Sequence, residues 1–198
     1  MAKEKKLKIE FEEINSDVEY ALKKLEEKEK VYDSVSLIAR DIIRKSGIII
    51  TKIHNNKFDD IEKELPELVS MVKNLQKIEN RFGYYTMQSY QEYAEAYILY
   101  NIKKNDKFIT LKELNIPAES YLSGMMDVVG ELKREIIELL REKNIKKAEH
   151  FFDYMKVIYD KTRSIRYPEV ILPGFRKKQD VARIQIESAG NEIVFFIK

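Results

Sequence analysis

The fold is predicted to form around the segment Tyr90-Gln91-Glu92-Tyr93-Ala94-Glu95-Ala96-Tyr97-Ile98-Leu99-Tyr100-Asn101-Ile102. From Tyr93 to Ile102 the residues are apolar on nearly every side of a helix, which is the pattern of a buried helix. Glu95 is the only charged residue in that span. Because a buried carboxylate without a partner is costly, Glu95 is expected to take up a proton or to find a partner.

A second acidic helix is predicted over the segment Ser123-Gly124-Met125-Met126-Asp127-Val128-Val129-Gly130-Glu131-Leu132. Glu92 and Glu95 are three residues apart, and Asp127 and Glu131 are four apart, so each pair shares one helix face. Four carboxylates could therefore meet between two helices. On its own, the second pair is also explained by a solvated helix face. The two glycines favour a close approach to the backbone, because glycine is costly in a helix interior.

Composition predicts an all-helical fold for the 198-residue chain. Hydrophobic residues make up 44%, while 6 Gly and 4 Pro are few, which favours long helices over many turns. We expect residues 1–198 to form a single domain, since this length can bury a full core.

Charge and composition exclude several classes of protein. The formal net charge is +2, so no global basic field indicates nucleic acid, and there is no Cys to form disulfides or thiolate metal sites. No apolar run approaches a membrane span, and the N-terminus lacks a signal sequence, so we expect a cytoplasmic protein with no membrane partner. Neither a phosphate-binding G-x-x-x-x-G-K-[ST] loop nor a G-x-S-x-G elbow is present.

The chemistry of clustered carboxylates favours a hard cation such as Mg²⁺ or Mn²⁺. Such an ion can bind phosphate oxygens and activate water for phosphodiester hydrolysis. The main chemical rival, a helical di-iron site, requires Glu-x-x-His motifs on paired helices. Neither His54 nor His150 completes that motif, and both are expected to be surface or structural residues. Spacing alone leaves the metal site and a set of unrelated acids as alternatives.

Local signals predict the remaining helices. Apolar residues at helical spacing run through residues 8–29 and continue through residues 31–53. Pro66 indicates either a kink or a junction of two helices, and Thr110-Leu111-Lys112-Glu113 has the form of a capping box. Residues 193–197 are interpreted as a helix end or a buried tail, since no partner strand is evident.

Taken together, residues 90–96 and 121–132 resemble the two signature helices of the translin superfamily, specifically the translin-associated factor X branch. The order and spacing of helices from about Leu25 are also similar, including Ala39-Arg40-Asp41-Ile42. The resemblance implies an all-α, translin-like bundle of about seven helices. It further implies a hollow, octamer-like homo-oligomeric shell that binds RNA, either single-stranded or as a short duplex, and single-stranded DNA.

For the factor X branch, the resemblance implies a divalent-metal-dependent endoribonuclease, a hydrolase with Mg²⁺ or Mn²⁺ as cofactor. The residues carried over as metal ligands and catalytic groups are Glu92, Glu95, Asp127 and Glu131. The alternative is a non-catalytic, translin-like oligomer that binds single-stranded RNA or DNA. The sequence does not indicate whether a second translin-type subunit is required.

The resemblance identifies the nucleic-acid-binding residues less definitely than the acidic residues. Where family members carry His and Arg ahead of the first signature, this chain has Gly83 and Tyr84, with Arg81 as the nearest base. Basic residues elsewhere could supply the charge, or could be ordinary solvated helix faces. The candidates are Arg40, Arg44, Arg81, Arg176, Lys177, Lys178 and Arg183.

A run of tyrosines suggests assembly or core packing. Its members are Tyr84, Tyr85, Tyr90, Tyr93, Tyr97 and Tyr100. Together with the amphipathic helices, they offer more apolar surface than one thin protomer needs, which fits subunit contacts. They could equally belong to the core.

Overall fold

Seven helices make up the fold in the computed structural model, which describes residues 2–79 and 82–197, without the side chains of residues 2–10 and Tyr84. No strand occurs in these ranges, so the all-α prediction of about seven helices is confirmed. The helices are α1 (Ala2–His54), α2 (Phe58–Ile78), α3 (Gly83–Asn105), α4 (Leu111–Leu114), α5 (Ala118–Arg141), α6 (Ile145–Thr162) and α7 (Phe175–Ile197).

Helix α3 lies between α1 and α5 and is largely buried, as its apolar sequence predicts. It packs extensively against α1 and α5, and α5 also packs against α6 and α7. Tyr90, Ile98 and Leu99 are fully buried, and Tyr93 and Tyr100 are nearly so. These three tyrosines therefore belong to the core, which removes them from the apolar surface available for subunit contacts.

Local chemistry sets several helix boundaries. The Thr110 hydroxyl accepts a hydrogen bond from the Glu113 backbone N–H, and the Glu113 carboxylate accepts one from the Thr110 backbone, which confirms the predicted capping box. Asp106 and Asn115 adopt left-handed conformations (φ 49° and 52°) that end α3 and α4. Helix α2 continues through Pro66, so no junction of two helices occurs there.

The two ends of the chain leave apolar side chains uncovered. The two amphipathic segments expected over residues 8–53 form one helix, α1, and several apolar residues in its first half are exposed, including Phe11, Val18 and Leu25. The C-terminal tail is the end of α7, which confirms the interpretation as a helix end. Ile193 is buried, whereas the following four residues are exposed, so the tail as a whole is not buried.

Candidate functional site

Gly124 allows α3 and α5 to approach closely. A Cβ atom at Gly124 would lie 2.5 Å from the Gln91 carbonyl oxygen and 2.8 Å from the Ala94 Cβ. A Cβ atom at Gly130 would lie 3.0 Å from Nε2 of Gln185, a residue of α7. The predicted close approach is therefore confirmed at both glycines. It brings the acidic faces of α3 and α5 together beneath α7.

All four predicted acids line one open cavity of about 630 Å³ between α3, α5 and α7. Its lining residues are Gln91, Glu92, Glu95, Met126, Asp127, Gly130, Glu131, Gly174, Lys177, Lys178, Val181 and Gln185. The two pairs of acids, each expected on one helix face, therefore line the same cavity. Of the seven predicted nucleic-acid-binding residues, Lys177 and Lys178 also line it.

Glu95 is the most deeply buried acid of the cavity. Only 8% of the residue is exposed, and its carboxyl group has no hydrogen bond or ion pair within the described part of the chain. Burial, reinforced by the negative charges of Asp127, Glu92 and Glu131, raises the pKa of Glu95 to about 9. Glu95 therefore holds a proton at neutral pH, one of the two outcomes expected from the sequence.

Asp127 is the acid most fully engaged by the protein. Lys178 Nζ donates to its Oδ1, and Gln91 Nε2 donates to its Oδ2 at 2.8 Å. Burial raises the pKa of Asp127, although these two donors act in the opposite direction. The pKa of neighbouring Glu92 is also raised, first by burial and then by the negative charge of Asp127. The cavity is consequently a place where negative charge is costly and added positive charge is favourable.

Glu131 is held by His54, the last residue of α1. His54 Nε2 lies 2.5 Å from a Glu131 carboxylate oxygen, and His54 Nδ1 lies 2.5 Å from an oxygen of buried Glu135. Lys103 Nζ, 2.7 Å away, binds the other Glu135 oxygen. Burial lowers the pKa of His54, but the two carboxylates outweigh it, so the pKa is raised. Below this raised pKa, His54 is positively charged and donates a hydrogen bond from each ring nitrogen.

The two histidines differ in their placement. His150 is a surface residue that bonds Asp106, as expected. His54 is a structural residue, also as expected, but its contact with a candidate site residue was missed. Glu131 and Glu135 lie 77 and 81 residues further along the chain. No local sequence pattern relates positions so far apart.

The cavity contains the type of ligand that a hard cation prefers, but its side chains are not gathered around one point. Four carboxylates without sulfur ligands are appropriate for Mg²⁺ or Mn²⁺, and Glu95 is free of protein partners in the described chain. Nevertheless, among the described residues no three His, Cys, Asp or Glu side chains are gathered in a metal-holding group. A cation that bound Asp127 would lie next to the Lys178 ammonium, which would repel it.

The other predicted nucleic-acid-binding residues are dispersed. Arg40 and Arg44 are exposed on α1, where they bond Ser36 and Asp41. Arg183 pairs with Glu187 on α7. Arg176 is exposed, and Arg81 lies outside the described residues. Among the candidates that the structure describes, Lys177 and Lys178 are therefore the ones that lie together.

No helix within the described residues combines the length and the apolar character required to cross a bilayer. This finding agrees with the absence of a long apolar run in the sequence.

Solved structures with the same fold include C3PO proteins. AfC3PO matches with a TM-score of 0.82 and 30% sequence identity, over 90% of this chain and 96% of that one. The complex of AfC3PO with duplex RNA matches with a TM-score of 0.83 and 27% identity, over 90% and 95% of the two chains. Apo-NeC3PO, at 20% identity and a TM-score of 0.82 over 90% and 96% of the chains, shares the fold.

Sequence comparison gives the family. Uncharacterized protein MJ0175 of Methanocaldococcus jannaschii is 32% identical over 186 residues, which are 92% of this chain and 83% of that protein. The sequence profile of the Translin family matches residues 22–191. The match includes both acidic segments and all four cavity acids. The chain therefore belongs to the Translin family.

Proposed function

We propose that this chain is an RNA-binding, divalent-metal-dependent endoribonuclease of the translin-associated factor X type. The observation that carries the proposal is Glu95, a buried carboxyl group without a protein partner in the described chain, facing a cavity shared with the three other acids. Grouping buried acids lowers the stability of the metal-free protein, so a cation is the partner that their chemistry favours. Glu92, Glu95, Asp127 and Glu131 would hold Mg²⁺ or Mn²⁺.

The bound ion would supply water activation and stabilisation of charge on the phosphodiester. The chain itself would contribute the arrangement around it. His54 fixes the orientation of Glu131, and Gly124 sets the separation of the two acidic helices. Lys177 and Lys178 place positive charge at the cavity, where a phosphate would approach. Similarity to AfC3PO, which was solved with duplex RNA, supports RNA as the substrate.

We also place the reaction inside a homo-oligomeric, octamer-like shell. The exposed apolar residues of the first half of α1 and of the α7 end are the surface that supports assembly. Light scattering at micromolar concentration should report a mass several times 23.5 kDa. A stable monomer would remove the shell from the proposal.

Cleavage of short single-stranded and duplex RNA with Mg²⁺ or Mn²⁺ tests the enzymatic proposal. Asp127→Asn and Glu95→Gln should lower cleavage at least about 100-fold, while RNA binding largely survives, since metal ligands act in the chemical step. Glu149→Gln, an exposed acid on α6, is the matched control and should cut like wild type. Wild type that cuts neither kind of RNA with either metal would refute the proposal.

A second candidate is a non-catalytic oligomer that binds single-stranded RNA or DNA. It is favoured by the engagement of Asp127 with Lys178 and Gln91 and of Glu131 with His54, which assigns those acids a structural role. Binding would then weaken steeply with salt, whether or not metal is present. RNA binding without turnover, unchanged by Asp127→Asn, would select this function.

A further inference from the structure

Lys178 occupies a position inside the acidic cavity that differs from that of an ordinary surface lysine. It extends from the first turn of α7 and donates to Asp127 Oδ1 on α5. The side chains of both residues are about three-quarters buried, at 26% and 25% exposure. The second Asp127 oxygen accepts from Gln91, so both oxygens are engaged by the protein. Each Asp127 oxygen therefore already accepts one hydrogen bond, and the Lys178 ammonium puts a positive charge where a cation would bind.

The charge of Lys178 acts on more than Asp127. It opposes the rise in the pKa of Glu92 and of Glu95, as well as that of Asp127. Of the two lysines that line the cavity, Lys178 is the one that bonds one of the four acids in the described chain. Lys178 is thus the shared counterion of the cavity, in the place where the proposed function puts a divalent cation. Two cations cannot share this space without strong repulsion.

We propose that Lys178 is a placeholder cation, which holds Asp127 in the metal-free protein and turns to a phosphate of the RNA when a divalent ion takes Asp127. The inference rests on the proposed function and adds a residue with two roles to it. A lysine suits both roles, because its ammonium is a compact charge on a flexible stem with three donors. The α7 backbone need not move for the exchange, since rotation of the Lys178 stem is sufficient to break its bond to Asp127.

The two roles give opposite effects when the charge is removed. Lys178→Met frees Asp127 and removes a competing cation, so Mn²⁺ should bind more tightly. The same change removes a donor to the phosphate, so cleavage should become slower. Removing a lysine that only stabilised the fold would not produce tighter Mn²⁺ binding together with slower cleavage.

The test compares Mn²⁺ binding by titration calorimetry with RNA cleavage at saturating Mn²⁺. For Lys178→Met we expect the Kd for Mn²⁺ to fall about tenfold, the factor that corresponds to one charge-assisted bond. The kcat should fall by a similar factor or more. Lys178→Gln keeps a hydrogen-bond donor for Asp127 without the charge, and it should show the same two changes. It provides the test if the Met variant folds poorly.

Lys161→Met is the matched control, an exposed lysine on α6 without an ion pair in the described chain. It should bind Mn²⁺ and cut RNA as wild type does.

Unchanged or weaker Mn²⁺ binding in both Lys178 variants, with wild type binding normally, would overturn the placeholder role alone. Tighter Mn²⁺ binding with unchanged kcat would overturn the phosphate role. Absence of Mn²⁺ binding in wild type and all variants would overturn the proposed metal site and this inference with it.

Discussion

Replacing Glu95 with glutamine should make the metal-free protein more stable at neutral pH. Glutamine has nearly the shape of a protonated glutamate, which is the form that burial imposes on Glu95. In the unfolded chain the carboxyl ionises near its ordinary pKa of 4.5, whereas in the folded protein the pKa is about 9. Folding wild type above pH 4.5 therefore requires a proton to be taken up, and folding the variant does not.

The sign and size of the effect follow from these two pKa values. The stability due to protonated Glu95 is fully present below pH 4.5 and is lost as the pH rises towards 9. Each pH unit in that window costs roughly 1.4 kcal/mol. Between pH 5 and pH 7 wild type should thus lose on the order of 2–3 kcal/mol relative to Glu95→Gln. Above pH 9 the difference should stop growing.

Urea unfolding at pH 5, 6, 7 and 8 in the presence of a chelator measures this difference, because it compares free energies of unfolding for the two proteins under each condition. Subtracting the two profiles removes other titrating groups, including His54, that both proteins share. Glu149→Gln, an exposed α6 substitution, should follow the wild-type profile. Parallel profiles for wild type and Glu95→Gln would refute the assignment of a buried, protonated carboxyl group.

Three further perturbations test the helix packing, the ion pairs and the metal binding of the cavity. Gly124→Ala should lower the free energy of unfolding by about 1–3 kcal/mol, because the Gln91 carbonyl blocks the new Cβ. The control Gly47→Ala, which adds a Cβ in open space on α1, should raise the free energy of unfolding by up to about 1 kcal/mol. His54→Gln should cost about 3 kcal/mol in urea unfolding at pH 5, with a smaller cost above the raised His54 pKa, where the charge is lost from wild type as well; an equal cost at every pH would contradict the charged pair. Mn²⁺ at about 100 times its Kd should stabilise wild type by about 2.7 kcal/mol, seen as a higher Tm, and Asp127→Asn by clearly less; equal shifts would argue against a shared metal site.

The sequence by itself determined the helical class, the burial of α3 and the local boundaries. These features depend on residues within one or two turns of each other. Apolar residues on all sides of a helix require burial wherever that helix packs, and the Thr110–Glu113 box closes within a single turn. Gly124 indicated the close approach of another element because its cost in a helix needs a compensating contact.

Only the tertiary structure decided how the acids are neutralised. Helical periodicity places Asp127 and Glu131 on one face, but it does not identify the groups that meet that face. The partners come from α1 and α7, with Lys178 lying 51 residues from Asp127 and His54 lying 77 residues from Glu131. The sequence likewise left Tyr90 open to core packing or subunit contact, and packing of α3 between α1 and α5 buried it. Spacing along a helix is a local property, whereas charge compensation in a bundle depends on which helices are neighbours.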